Sequence, residues 1–307
     1  MSNTWNGMTF TNIATEGIST LEQMLIPMQA FSTDLSKDMA PQGSVVNTRI
    51  VPAATAPTDL VDDESGDYSD VTDDQTTTAV AVTLDPHPVT GFHLTDTQSQ
   101  EIGAGVWSDT SKRLVRTHVR AIGNAVLNSL FALITNANYS TAGLVTAASA
   151  FDTDDVADLR NVAVTAGWDM AAAPPMVLNP DYYAALIKDN AIRDMSASGS
   201  NAALTLGDLP KVAGFSAIEA PTLPGNSENL VGFIAEPSSM AIAMRGVETQ
   251  SRGDFLHYEV LEGPVTGAIM TYSAIFNRSK RRVDHVFEAL YGVKKAQAAA
   301  LKRITSA

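Results

Sequence analysis

The chain has 307 residues, no cysteine and a formal net charge of −14 at pH 7. Its length permits one large domain or two modest ones, the lack of cysteine excludes disulfides and thiolate sites, and the acidic balance excludes nucleic-acid binding through the overall charge. No run of about 18 apolar residues is present, so no membrane span is expected, and the first residues lack a secretory signal pattern.

Residues 1–43 are predicted to form an N-terminal arm. Apolar residues recur at helical spacing within it, at Leu21, Met24, Leu25, Met28 and Phe31. Pro27 interrupts the pattern, which favours a short or kinked helix. So short an amphipathic helix cannot bury its own apolar face, so we expect it to dock on another surface.

Residues 44–90 are predicted to form an extended β-hairpin, because the β-rich runs at 45–51 and 76–84 are each followed by proline. Acidic residues crowd the turn-rich tip between these runs: Asp59, Asp62, Asp63, Glu64, Asp67, Asp70, Asp73 and Asp74. No Lys or Arg occurs from Ile50 to Ser111. The segment has too little apolar surface for its own core, so we expect it to be mobile or to lie on another subunit.

Residues 108–136 are predicted to form a long helix of about 40 Å. One apolar stripe runs along it, through Val115, Val119, Ile122, Val126, Leu130 and Leu133. Its first turns are basic, with Lys112, Arg113, Arg116 and Arg120. Positive charge there opposes the helix dipole, which indicates an external acidic partner; a solvated polar face is the alternative.

Residues 137–239 are predicted to be mixed α/β. Helices are expected at 152–166 and 181–188, the second with Asn179 and Pro180 at its start. Residues 193–210 are predicted to be a loop. Strands are expected at 176–178, 214–224 and 230–235.

The last third of the chain is predicted to contain strands at 240–244, 257–261 and 268–276, an apolar-rich stretch at 283–293, and a short terminal helix at 294–304. A basic cluster separates two of these stretches, at Arg278, Lys280, Arg281 and Arg282. It has no interleaved aromatic residues, so pairing with acids, within the subunit or across a contact, is favoured over nucleic-acid recognition.

The sequence contains no pattern typical of catalysis or of metal or cofactor binding. The histidines lack metal-ligand spacing: His87, His93, His118, His257 and His285. The alternation of Asp63, Ser65, Asp67 and Ser69 resembles a calcium loop only weakly, because Tyr68 stands where glycine is needed and no closing glutamate follows. We therefore predict no enzyme activity, no catalytic residue, no metal and no cofactor.

Four segments, in their order along the chain, carry a resemblance to a known family: LEQMLIPMQAFSTDLS, QGSVVNTRIVP, LPKVAGFSAIEAPTLPG and VGFIAEPSSMAIAMRGVE. This order resembles that of the major capsid proteins of tailed bacteriophages, which have the Hong Kong 97-type fold. The resemblance implies an α+β fold with an N-terminal arm, an extended loop, a spine helix, and peripheral and axial domains. It implies these boundaries: arm 1–43, extended loop 44–90, peripheral domain with spine helix 91–138, axial domain 139–239, peripheral strands 240–285 and axial C-terminal segment 286–307.

The resemblance further implies a subunit that self-assembles, as hexamers and pentamers, into an icosahedral shell around double-stranded DNA bound without sequence specificity. Expected partners are a separate scaffolding protein, a portal and, as an option left open, a cement protein. The expected location is the virion capsid, assembled in the host cytoplasm. One member of that family has a covalent crosslink from a lysine of the extended loop, and no lysine occurs in residues 45–90, so noncovalent contacts or a cement protein must hold the shell.

In that family the extended loop crosses a neighbouring subunit, so we predict contacts between an acidic loop and a basic helix start. The candidates are Asp62, Asp63, Glu64 and Asp67 on one subunit and Lys112, Arg113, Arg116 and Arg120 on the next. Three alternatives stay open: an encapsulin-like compartment with protein cargo, a hydrolytic or metal-dependent enzyme, and a phage tail or cement protein. The long helix argues against the last.

Overall fold

Amphipathic stretches of the chain pair across long sequence distances in the computed structural model, which describes residues 9–50, 78–95, 109–140, 142–193, 209, 211–223, 226–249 and 252–307. The helices are α1 (Phe10–Met24), α2 (Asp109–Phe131), α3 (Asn136–Tyr139), α4 (Thr153–Thr165), α5 (Pro180–Lys188) and α6 (Asn190–Arg193). Within the described residues no helix is long and apolar enough to cross a membrane.

Fourteen strands lie in the same ranges. They are β1 (Ser32–Ala40), β2 (Val45–Ile50), β3 (Thr78–Thr83), β4 (Val89–Thr95), β5 (Leu144–Val145), β6 (Pro175–Leu178), β7 (Ser216–Glu219), β8 (Leu230–Ala235), β9 (Met240–Val247), β10 (Phe255–Glu262), β11 (Ile269–Asn277), β12 (Arg282–Glu288), β13 (Leu290–Lys295) and β14 (Leu301–Thr305). They form sheets in the orders β1-β9-β13, β10-β11-β12-β4, β5-β14-β8-β6-β7 and β2-β3.

The predicted hairpin is confirmed in its paired part. β2 and β3 are antiparallel, in a register that runs from Val45 opposite Thr83 to Ile50 opposite Thr78. Val80, Val82 and Leu84 bury their side chains against β9 and β13, so the base of the hairpin is anchored on the subunit. The acidic tip lies outside the described residues.

The long helix is confirmed as α2, with 23 residues and a length of about 35 Å. Its predicted stripe is buried at Val115, Val119, Ile122 and Val126. The helix of the arm begins earlier than predicted. Its apolar period extends back to Ile13, and the Thr9 hydroxyl caps the first turn by accepting from Asn12 N at 3.2 Å.

The arm helix docks within its own subunit. α1 runs parallel to α2, since Glu16 contacts Arg116 and Met24 packs against Gly123, further along both helices. Most of the apolar face predicted for this segment is buried there, including Leu21, Leu25 and Met28. The expectation of a docked amphipathic helix is therefore confirmed, with α2 as the surface.

The five-stranded sheet separates two hydrophobic cores. On β6, Val177 faces the larger core, which contains α1 and α2, whereas Met176 and Leu178 face the smaller core under α4 and α5. β8 alternates likewise, with Phe233 in the larger core and Ile234 in the smaller one. One sheet thus joins both halves of the described molecule.

The predicted terminal helix at 294–304 is wrong. Its alanines favour a helix, but Leu301 and Ile304 are buried because they lie in β14, which pairs antiparallel with β8. β13 pairs with β9 instead, and a single 3₁₀ turn at Ala298–Ala300 separates the two strands. The segment predicted as 286–307 therefore divides between two sheets; the domain boundaries themselves stay predictions.

Candidate contact surface

The basic turns of α2 lie on its outer face. Arg113, Arg116 and Arg120 are exposed and Lys112 is half-buried, whereas Val115 and Val119, on the opposite face, are fully buried. The helix therefore presents positive charge outward in the part where its own dipole is also positive.

Arg116 has a partner within the chain. Its Nε donates to Glu16 Oε1 on α1 at 2.6 Å. Sequence reasoning missed this pair because 100 positions separate the two residues and no local motif links them. Among the described residues, no carboxylate pairs with Lys112, Arg113 or Arg120.

The predicted acidic partners Asp62, Asp63, Glu64 and Asp67 lie outside the described residues. Their contact with the helix therefore stays a prediction. Of the four predicted cations, Arg116 is the least available to the acidic segment of another copy, because it already pairs with Glu16.

The second basic cluster forms the tight turn between β11 and β12. Asn277 pairs with Arg282 at the end of the ladder, and Asn277 Oδ1 accepts from the Ser279 hydroxyl at 2.8 Å and from Lys280 N at 3.2 Å. Arg281 adopts a left-handed φ of 47°. Arg282 lies 2.8 Å from Asp284 Oδ1, which matches the predicted pairing with an acid within the subunit.

Arg278, Lys280 and Arg281 are exposed on this turn. Beside them Phe276 has 40% of its surface exposed, at the end of a strand whose earlier residues are buried. Sequence reasoning placed Phe276 in a strand but could not tell that its ring would stay outside the core.

Both basic groups lie at the same end of the subunit. Phe10, at the start of α1, packs beside His285, and Gly17, further along α1, lies against Phe287. α1 therefore runs away from the turn that precedes β12, and the parallel helix α2 does the same. The Lys112–Arg113 end of α2 consequently faces the same way as the Arg278–Arg281 turn. We call these four residues and Lys280 the basic end.

One histidine close to this end, His285 on β12, is structural. His285 is buried, its ring stacks on Phe92 with centroids 4.9 Å apart, and its Nδ1 lies 2.8 Å from the Tyr272 hydroxyl. Burial lowers the pKa of His285 to about 4, against the smaller opposing effect of Asp284. Within the described ranges, no group of three or more His, Asp and Glu side chains could hold a metal ion.

Solved structures with this architecture include three capsids. The capsid of the cyanophage P-SCSP1u has a TM-score of 0.53 at 12% identity, with 91% of this chain and 86% of that chain covered. The mature capsid of bacteriophage PhiM1 gives 0.52 at 11%, with 90% and 85% covered. The capsid of a native GTA particle gives 0.51 at 15%, with 100% and 94% covered. At these identities the likeness establishes a shared fold.

Neither a protein-family model nor a curated protein matches the sequence.

Proposed function

Because the chain has the Hong Kong 97-type fold of tailed-phage capsid subunits, we propose that it is a major capsid protein that assembles into an icosahedral shell around double-stranded DNA. The observation that carries the proposal is the match to capsid structures over nearly the whole of both chains. The matched chains are capsid subunits along nearly their whole length, which favours a structural role over an enzymatic one.

The extended hairpin supports the same role. The β2–β3 base is anchored by Val82 and Leu84, but exposed Val45, with 56% of its surface accessible, leaves part of an apolar face uncovered. Such an element gains its remaining burial from neighbouring copies. We assign residues 44–90 to the extended loop that crosses an adjacent subunit.

We propose the remaining boundaries on the basis of the sheets. We assign α2 and the sheets that contain β1, β4 and β9–β13 to the peripheral domain, and the five-stranded sheet with α4 and α5 to the axial domain. Under this assignment residues 286–295 belong to the peripheral domain, and only β14 returns to the axial one. This revises the boundaries expected from the sequence.

We further propose that hexamers and pentamers build the shell, with separate scaffolding and portal proteins and an optional cement protein, in the cytoplasm of the host. The acidic residues Asp62, Asp63, Glu64 and Asp67 of one copy would contact Lys112, Arg113 and Arg120 of the next. Each exposed pair contributes at most about 1 kcal/mol, so the effect depends on many repeated copies.

The decisive experiment is negative-stain microscopy with sedimentation of the purified protein, at low and at high salt. We expect closed shells tens of nanometres across, and nuclease-resistant double-stranded DNA when packaging components are co-expressed. A small species that persists at every salt and protein concentration, with and without a scaffolding protein, would overturn the proposal. Shells that enclose a protein cargo and never DNA would contradict its DNA-enclosing part.

A further inference from the structure

We propose that the open edge of β7, with the apolar pocket beside it, binds an extended segment of a separate protein in which Lys or Arg flanks apolar residues. The segment would lie along β7 as an added strand and would place an apolar side chain in the pocket. This site lies at the Met24 end of α1, away from the basic end. It can bind such a partner whether or not copies of the chain form a shell.

The backbone of β7 is ready to pair on one side. β7 is the last strand of the five-stranded sheet, so one of its edges is open among the described residues. The N–H groups of Ser216 and Ala220 donate, at 3.2 and 2.8 Å, to carbonyl oxygens of the segment that carries β6. Because alternate residues of a parallel strand point their backbone groups the same way, Ala217 and Glu219 direct theirs to the open edge.

A pocket of about 440 Å³ lies at this open edge. Ala217, Ile218 and Glu219, three consecutive residues of β7, all line it. Ala217 packs against the smaller core and Ile218 against the larger one, because neighbouring side chains of a strand point to opposite faces. A pocket that all three residues line therefore lies at the edge of the strand and not over one face of the sheet.

The rest of the pocket is largely apolar. Met24 at the end of α1, Ile26 and Pro27 in the 3₁₀ turn that follows, and Leu127 on α2 line it. Ile26 has 41% of its surface exposed, and covering that surface would be favourable. The pocket has room for a bulky apolar side chain. Pairing with the backbone of β7 and insertion of a side chain can thus occur together, which is how strand addition recognises a peptide.

The charge of this surface favours a basic partner. Among the described residues that line the pocket, Glu219 is the one charged residue, and it is exposed. The chain as a whole carries a net charge of −14. A segment with Lys or Arg beside its apolar residues is therefore attracted to this edge, and an acidic segment is repelled.

A second copy of this chain is the less favoured occupant. All 20 of its Lys and Arg residues lie in the described ranges, where their segments already have places in the fold. Two β7 edges that paired with each other would bring the Glu219 carboxylates of both copies close together, which is unfavourable. The partner that fits is therefore a separate protein.

The experiment uses a photo-crosslinking peptide and the full chain. The probe is acetyl-Lys-Val-Thr-Leu-Thr-Val-Lys-amide with photo-leucine as its central residue, and a second probe carries glutamate in place of both lysines. We expect the basic probe to crosslink to residues 23–27 or 217–222, as located by mass spectrometry. The acidic probe should crosslink about threefold less at low salt.

Two variants test the edge and the pocket separately. Ala217→Pro removes an outward N–H but keeps the bonds to β6, so it should reduce the crosslinking yield about fivefold. Ile26→Ser removes an exposed apolar contact and should reduce the yield by a similar factor. Val145→Ser replaces an exposed apolar residue on β5, at the opposite edge of the same sheet, and should leave the yield unchanged. Circular dichroism checks the fold of each variant.

A further pair of variants tests the charge. Glu219→Lys should abolish the preference for the basic probe, because it replaces the carboxylate beside the pocket by a cation. Asp158→Lys makes the same change in net charge at an exposed position of α4 and should leave the preference intact.

Crosslinks at other sites, no crosslink at all, or a yield that both Ala217→Pro and Ile26→Ser leave unchanged in the folded protein would overturn the proposal. Equal yields from the two probes would contradict a basic partner. Loss of the crosslink whenever copies of the chain associate would assign the edge to a second copy and also overturn it. Because the probe needs no shell, failure of the chain to form shells would refute the proposed function alone.

Discussion

His285 shows how one buried residue makes the stability of the subunit depend on pH. In the folded chain its pKa is about 4 because burial disfavours the imidazolium, whereas the unfolded chain has the ordinary value of about 6.5. The unfolded state therefore takes up the proton first. The stabilisation is complete above about pH 6.5 and is lost as the pH falls from there towards 4.

We expect the free energy of unfolding to fall by about 1.4 kcal/mol per pH unit in that window through this residue alone. His285→Phe removes the titrating group and should flatten this part of the profile, although it also removes the bond to Tyr272. Urea unfolding of a non-assembling form between pH 7 and 4.5 measures the slope. His93→Gln, which removes a histidine at an exposed position of β4, is the control. An unchanged slope in His285→Phe would contradict the assignment of the pH dependence to His285.

Arg303 joins three separate parts of the chain. Its guanidinium, only 5% exposed, donates to Glu228 Oε2 at 2.9 Å, to Asn136 Oδ1 at 2.8 Å and to Ser140 O at 2.8 Å. The end of β14 is thereby tied to the segment after α2 and to the loop before β8. Replacing this buried cation alone is costly, because the Glu228 carboxylate would then lose its partner.

We expect Arg303→Met to reduce the free energy of unfolding by about 3 kcal/mol, because it leaves the Glu228 carboxylate without its cation. Arg303→Met with Glu228→Gln should regain a large part of that loss. Chemical denaturation of both variants checks the pair. Lys302→Met, at the neighbouring half-buried position of β14, is the matched control and should change stability by less than about 1 kcal/mol. Equal losses in the single and double variants would refute the coupling.

At the scale of elements, helix caps and the β2–β3 hairpin could be predicted from the sequence, because they depend on residues close together along the chain. Asn179 caps α5 as expected, by accepting from Tyr182 N at 3.0 Å, and Asp152 caps α4. The β2–β3 hairpin follows from its β-branched runs. The C-terminal helix failed because pairing with β8 and β9 overrides the alanine propensity, and such pairing partners cannot be read from one segment.

The hairpin tip can be removed without breaking the paired strands. Ile50 and Thr78 are directly opposite each other, so an Asn-Gly turn in place of residues 51–77 closes the same ladder. We expect a folded subunit that forms no closed shells, because the acidic segment is lost. Circular dichroism, urea unfolding and sedimentation measure this outcome.

A matched variant replaces residues 51–77 by a Gly/Ser linker of equal length, which keeps the reach but removes the charge. It should also fail to assemble if charge is what matters. Normal shells from either variant would show that the tip is dispensable.

At the scale of the whole molecule, the candidate surface could be predicted only in part. The cations of α2 and of the β11–β12 turn are visible as sequence clusters. Their common orientation is not, because it depends on α1 and α2 running parallel and on β12 leading away from the turn. The same is true of Glu16, which neutralises Arg116 across α1 and α2.

The opposite directions of the hairpin and the basic turn give the subunit a polarity. A contact between the hairpin of one copy and the basic end of the next, repeated in one direction, is heterologous and forms a ring when the rotation between copies closes. An open row of copies always keeps one unfilled site and one unused hairpin. The copy that closes a ring makes two contacts, whereas every earlier addition made one. Ring closure is therefore cooperative, and incomplete rings lose subunits more easily than closed ones.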